Sequence, residues 1–183
     1  MKKLLSVLLV FAIVLSFTAC EDKDSAKYAL NKGLEAFKDF DIDGISKYVA
    51  NSALTEEELN AQDTEEAKAI FSTLSWKIKS CKEEGDKAVA TVELTCVSLA
   101  EAVKEVVSEM MNEMFAGNVS AEDSDEYAVK KLSEKIKDPK AKRVTQTVAV
   151  ELEKIDGQWK ISNPAVLISV MSFGLEGILP EEK

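Results

Sequence analysis

One chemically capable residue type is missing altogether. The chain has 183 residues and no histidine. That removes the commonest general base, a frequent zinc ligand and the usual partner of a serine or cysteine nucleophile. Carboxylates are abundant instead, with 33 Asp and Glu against 23 Lys and Arg and a formal net charge of −10. Their tightest cluster is Asp39-Phe40-Asp41-Ile42-Asp43-Gly44. Alternate carboxylates followed by glycine open a calcium loop, because they can converge on one hard cation. The remainder of such a loop is lacking. Its ninth position is Lys47, and its twelfth, where a bidentate glutamate belongs, is Ala50. The segment reads better as a helix–helix connection with Asp43 capping the second helix. No metal and no cofactor are expected. Glu93, Glu151 and Glu153 are the acidic candidates on strands, but alternation puts all three opposite the apolar faces. No catalytic residue is nominated, and the chain is expected not to be an enzyme. A carboxylate-based hydrolase or isomerase is the alternative.

Three cysteines remain to be placed. Cys20 follows a distinctive leader. Lys2 and Lys3 precede an apolar run, residues 4–17, broken only by Ser6 and Ser16. The run suits a signal peptide and falls short of the ~20 residues of a membrane span. Small residues Thr18 and Ala19 then precede Cys20. The stretch Ser16-Phe17-Thr18-Ala19-Cys20 resembles the lipobox of bacterial lipoproteins. Phe17 stands where leucine is usual. The resemblance implies a diacylglycerol on the Cys20 sulfur and cleavage just before it, and so a palmitate-type anchor on the extracytoplasmic face of the cell membrane. Residues 1–19 are then the signal peptide, 20–24 the lipidated cysteine and a short tether, and 25–183 a single domain. Two acyl chains on one residue anchor durably where one is marginal. The acidic chain needs such an anchor, since it repels anionic headgroups as it repels nucleic acid.

The elements that would position any site follow from periodicity. Residues 25–38 carry Ala26, Ala29, Leu30, Gly33, Leu34 and Phe37 near one helical face, with Asp24 as cap. A second helix turns Ile45, Tyr48 and Val49 inward. An acidic stretch, residues 51–63, precedes a third helix that Thr64 caps and that reaches Leu74. Residues 75–81 and 87–97 alternate as a hairpin. Matching their apolar faces pairs Trp76 with Leu94 and Ile78 with Val92, which calls for an odd-length loop, Glu84-Gly85-Asp86. In that register Cys81 falls opposite Val89, on the other face from Cys96. Exported proteins permit disulfides, but side chains on opposite faces cannot bridge. Two free thiols are expected, with Cys96 in the core and no histidine to activate either.

Ser98-Leu99-Ala100-Glu101 is a capping box opening a helix to about Phe115, ended by Gly117 and Asn118. Its Met110, Met111, Met114 and Phe115 read as core filling, although methionine clusters can also form adaptable grooves. Residues 123–136 form the next helix, with Tyr127, Val129, Leu132 and Ile136 inward. The acids of residues 122–126 suit its positive end. Residues 143–154 alternate through Val144, Val148, Val150 and Leu152. Asp156-Gly157 is a type I′ turn signal that pairs Leu152 with Ile161. Asn163-Pro164 then opens a terminal helix, as N-cap and first residue. It is apolar on almost every side through Leu167, Ile168, Val170, Met171, Phe173 and Leu175, hence buried or awaiting a partner.

These elements make an α+β fold with a four-stranded antiparallel bent sheet of two hairpins, N-terminal helices, a helical insert and a C-terminal helix. The lipobox, the helix pair ending near Ile45-Ser46-Lys47-Tyr48 and the closing stretch from Leu152 to Ile161 resemble lipoproteins of Gram-positive bacteria with a nuclear-transport-factor-2-like, or cystatin-like, domain. That resemblance implies helices lying in a bent sheet around a cone-shaped pocket. The helical insert between Ser98 and Lys142 departs from the plainest form of that fold. The function expected is non-enzymatic binding of a small apolar ligand or an envelope protein.

Overall fold

The computed structural model describes residues 23–50 and 65–173. Cys20, the leader, residues 51–63, Thr64 and Leu175 lie outside them. Helix α1 (Ala26–Asp39) is capped by Ser25, whose Oγ accepts from the Tyr28 N–H at 3.2 Å. Asp24, the expected cap, lies one residue too early. The expected apolar face is the observed one, with Ala26, Ala29, Leu30, Gly33, Leu34 and Phe37 all buried. Helix α2 (Ile42–Tyr48) follows at once, and α3 (Glu65–Ser72) lies beyond the acidic stretch.

Strands β1 (Ser75–Glu84), β2 (Lys87–Val97), β3 (Arg143–Ile155) and β4 (Gln158–Ile161) form one antiparallel sheet in the order β1-β2-β3-β4. One face packs on α1. Full burial of each large side chain there, such as Leu30, Leu34, Leu94 or Ile161, contributes about 1.5–3 kcal/mol. Phe37 stacks on Phe71 of α3 with ring centroids 6.1 Å apart. The Trp76 indole N–H donates to Asn31 Oδ1 at 2.9 Å, tying β1 to α1. Gly33 lets α1 approach β4, since a methyl group there would lie 2.8 Å from Ile161 Cδ1. The chain leaving α2 then runs along β4, where the Ala50 N–H donates to the Ile161 carbonyl at 2.9 Å.

The first hairpin pairs as expected near its open end, Trp76 with Leu94 and Ile78 with Val92. The expected odd-length loop does not occur. Glu84 pairs with Lys87, leaving the two-residue turn Gly85-Asp86 with Gly85 at φ +63°. A register shift between Ile78 and Ser80 supplies the extra residue as a β-bulge. The bulge turns the rest of β1 over. Cys81 pairs with Ala90, not Val89, and joins Trp76 and Ile78 on the core side. The face assigned to it from the sequence is therefore wrong.

The second hairpin follows its sequence. Leu152 pairs with Ile161, and Asp156 and Gly157 take φ +50° and +80°, both positive as a type I′ turn demands.

Between the hairpins, α4 (Leu99–Phe115) and α5 (Ser124–Lys137) form a helical arm. The Ser98 Oγ accepts from Glu101 N–H at 3.4 Å, but the reciprocal half of the capping box is absent. Glu101 instead meets Lys142 and Lys104, while the Ser98 N–H donates to the Lys142 carbonyl. At the far end, Gly117 N–H donates to the Met114 carbonyl and Asn118 N–H to that of Glu113, a Schellman closure. A small second core of Ala69, Val97 and Ile136 seats the arm on α3 and β2. Further out the apolar side chains are not covered. Met111, Met114 and Phe115 are exposed, against their expected place in the core, and so is Val129. Met110 and Tyr127 are only partly buried.

Helix α6 (Ala165–Met171) starts after Pro164, which occupies the cap. Asn163 is not a cap. Its Oδ1 accepts from the Glu151 N–H at 2.8 Å and its Nδ2 donates to the Ala149 carbonyl at 3.4 Å. The side chain thereby pairs with β3 beyond the end of short β4. Leu167 and Val170 are fully buried, while Ile168 and Phe173 are exposed. The helix is thus one-sided rather than buried all round. Among the described residues no helix is long and apolar enough to cross a membrane.

Candidate functional site

The N-terminus of α1, the end of α2 and the β3–β4 turn meet at one end of the sheet. Between them opens a cleft of about 270 Å3. Ser25, Tyr28 and Ala29 line it from α1, Lys47 and Tyr48 from α2, and Gly157, Gln158 and Trp159 from the turn. Lys23 and Asp24 complete the rim. Local rules explain each placement. Ser25 starts the helix that carries Tyr28. The type I′ turn brings Trp159 back beside β3. Ile161 of β4 and Tyr48 of α2 both pack against Gly33 of α1.

Three aromatic residues contribute to the lining, each with an ammonium group nearby. Lys47 Nζ lies 5.3 Å from the Tyr48 ring centroid and Lys154 Nζ 5.5 Å from that of Trp159. Lys32 Nζ lies 6.0 Å from Tyr28. Trp159 is only 5% exposed. Two amides of the helix end already have side-chain acceptors. The Ala26 N–H donates to Glu83 Oε1 at 2.7 Å and the Tyr28 N–H to Ser25 Oγ. The lining lysines, Lys23 and Lys47, are the groups left to meet an acidic ligand edge. Flat aromatic faces with a few charged donors suit reversible binding of a ring-bearing molecule.

The other candidates fall elsewhere. Asp39 ends α1, Asp41 precedes α2 and Asp43 sits in its first turn, all exposed. Between them Phe40 is left-handed at φ +52° and buried. Asp41, not Asp43, occupies the cap position, and its side chain makes no capping bond. Gly44 serves packing, since a methyl group there would lie 2.5 Å from Asp41 Oδ2 and 2.8 Å from Ala36 Cβ. Among the described residues no group of acidic or thiol side chains could hold a metal ion.

Glu93, Glu151 and Glu153 lie on the face away from the core, opposite Thr147, Val89 and Lys87. A hydrogen bond from Lys79, 2.7 Å away, holds the Glu93 carboxyl below its ordinary range. Cys81 and Cys96 are free, as expected, but for another reason. They share a face, yet the partner of Cys81, Ala90, stands six residues from Cys96 along β2, about 20 Å at strand rise. Burial pushes both thiols up, and Glu83 adds to this at Cys81.

Sequence reasoning turned Tyr48 inward, took Trp159 only as part of the closing stretch, and passed over Tyr28. Nothing in local periodicity marks them, because the cleft joins residues from three separate elements.

No protein-family model matches the chain. No curated protein matches it. Among solved structures, a putative lipoprotein of Bacillus subtilis, ycdA, aligns at 16% identity with a TM-score of 0.46. The alignment covers 77% of this chain and 45% of that one, so the chain spans less than half of its length. AclR, a putative hydroxylase of Streptomyces galilaeus, aligns at 16% identity with a TM-score of 0.40, over 86% of this chain and 88% of that one. At these values neither likeness carries an argument about activity.

Proposed function

We propose that this chain is a lipoprotein, tethered through Cys20 to the extracytoplasmic face of a Gram-positive cell membrane, whose domain binds a small molecule without transforming it. The observation that carries the binding part is the aromatic cleft of Tyr28, Tyr48 and Trp159. The α+β fold is compatible with such a role, as is the resemblance to lipid-anchored nuclear-transport-factor-2-like domains. The lining revises the ligand expected from sequence. With Lys23 and Lys47 beside three rings, it favours a ring-bearing molecule with an anionic or acceptor-rich edge over a purely apolar one. Lys23 lies three positions after Cys20, so an extended tether holds the cleft within about 10 Å of the anchored residue. The ligand is then captured close to the membrane surface.

Native mass spectrometry of the lipidated protein, released from detergent micelles, tests the binding. A constant mass beyond the lipidated chain, lost on activation and weakened in Tyr48→Ala, is expected. A bare lipidated mass would overturn ligand binding and shift weight to an envelope-protein partner. Labelling with a palmitate analogue tests the anchor separately. Label retained by Cys20→Ala would overturn it.

A further inference from the structure

The aromatic cleft lies where the described chain begins, at Lys23. Its charge differs from that of the chain as a whole. The lining holds two ammonium groups, Lys23 and Lys47, and one carboxylate, Asp24. The formal net charge of the protein is −10, so the repulsion of anionic headgroups expected of the whole chain is reversed at this lining. A third ammonium, exposed Lys154, lies 5.5 Å from the Trp159 ring centroid. Asp43, one helical turn before Lys47, and Asp156, beside Gly157, are exposed acids outside the lining. Tyr28 and Tyr48 in the same lining are half-buried. Tyrosine with lysine is the combination enriched at membrane–water interfaces, where amphipathic rings sit at headgroup level and ammonium groups reach toward anionic lipid.

Size narrows the ligand further. At about 270 Å3 the cleft is smaller than the roughly 300–1,000 Å3 of sites that enclose a drug-sized molecule. It suits one polar fragment of a larger ligand. A phospholipid headgroup is such a fragment. Its phosphate suits the lysines, headgroup hydroxyls can donate to the Asp24 carboxylate, and its acyl chains need no room in the protein because the bilayer holds them. With the anchor proposed above, the encounter is also intramolecular. Lys23 stands three residues after Cys20, a span of at most about 10 Å. Headgroups then meet the cleft at high effective concentration, and weak recognition suffices.

We propose, building on the ligand-binding reading of the cleft, that it holds the headgroup of an anionic membrane phospholipid, with Lys23 and Lys47 meeting the phosphate, and so seats this end of the domain on the bilayer. Full-length protein in neutral detergent, mixed with soluble dihexanoylphosphatidylglycerol and read by native mass spectrometry, tests this. A single bound lipid is expected, retained several-fold better than dihexanoylphosphatidylcholine at equal concentration. Lys23→Gln with Lys47→Gln should lower that retention several-fold at an unchanged thermal midpoint. Lys130→Gln with Lys137→Gln, which removes the same charge from α5, should not. Equal retention of the two lipids, or equal loss in both pairs of variants, would overturn the headgroup site. Glycerol 1-phosphate bound as tightly as the lipid would also overturn it and assign the cleft to a soluble phosphate ester. A different constant adduct that neither lipid displaces would overturn the headgroup alone and leave ligand binding standing. A bare mass with every probe would overturn both.

Discussion

A methyl group added at Gly44 would meet Asp41 Oδ2 at 2.5 Å and Ala36 Cβ at 2.8 Å, where α1 and α2 turn against each other. Gly44→Ala is expected to destabilise the domain by about 1–3 kcal/mol, read from urea unfolding. Gln146 predicts the opposite sign. It shares the inward face of β3 with Val144 and Val148, and its Nε2 is buried with no partner among the described residues. Such a group costs about 1–3 kcal/mol. Gln146→Leu should therefore raise stability, and unchanged or lower stability would show that the amide is satisfied in solution. The thiols give a third test. Both keep their protons above the ordinary thiol range because burial disfavours the thiolate. A raised native value means that the native state holds the proton more tightly. The stability tied to it is full below the ordinary thiol range and is lost as pH rises from there through the raised native value. At neutral pH an alkylating reagent should label half-buried Cys81 slowly, and Cys96 only on unfolding.

At the scale of elements, hydrogen-bond ledgers explain the departures from sequence expectation. β1 keeps the apolar pairing of Trp76 and Ile78 and still uses a two-residue turn, because a bulge absorbs the extra residue. Apolar matching alone cannot tell a longer loop from a bulge, since both restore the register. Asn163 looks like a helix cap, yet β3 outruns β4 and offers unpaired backbone at Glu151 and Ala149 that the amide satisfies. The arm depends on charge at its foot. Hydrogen bonds from Lys142 and Lys104 hold the Glu101 carboxyl below its ordinary range. A depressed native value stabilises the fold above the ordinary glutamate range and ceases to do so as pH falls through it. Amide protection in α4 should therefore fall before that of the sheet as pH drops below about 4. Simultaneous loss in both would contradict it.

Across the whole molecule, stability is distributed unevenly. The main core gathers α1, the sheet and α6, while the arm rests on the small cluster around Ile136. Leu34→Ala, at a fully buried position, should cost about 2–5 kcal/mol and lower the global midpoint. Ile136→Ala should loosen the arm in hydrogen exchange and leave the sheet amides protected. Equal loosening of arm and sheet would show a single cooperative unit. The cleft belongs to this scale too. Tyr28, Tyr48 and Trp159 come from α1, α2 and β4, which meet where Gly33 packs against Ile161 and where the Ala50 N–H donates to the Ile161 carbonyl.

By itself the sequence determined the α+β class, the four strands, the type I′ turn and its register, the buried face of α1 and the start of α4. Those features depend on residues near one another in the chain, whose periodicity and turn chemistry are local. Tertiary structure decided the side on which Cys81 lies, because a single bulge reverses every later side chain. It also decided that Met111 and Met114 face outward, because a helix pattern shows that an apolar face exists and not what meets it. The cleft was decided there as well, since its aromatic residues become neighbours only when three elements pack together.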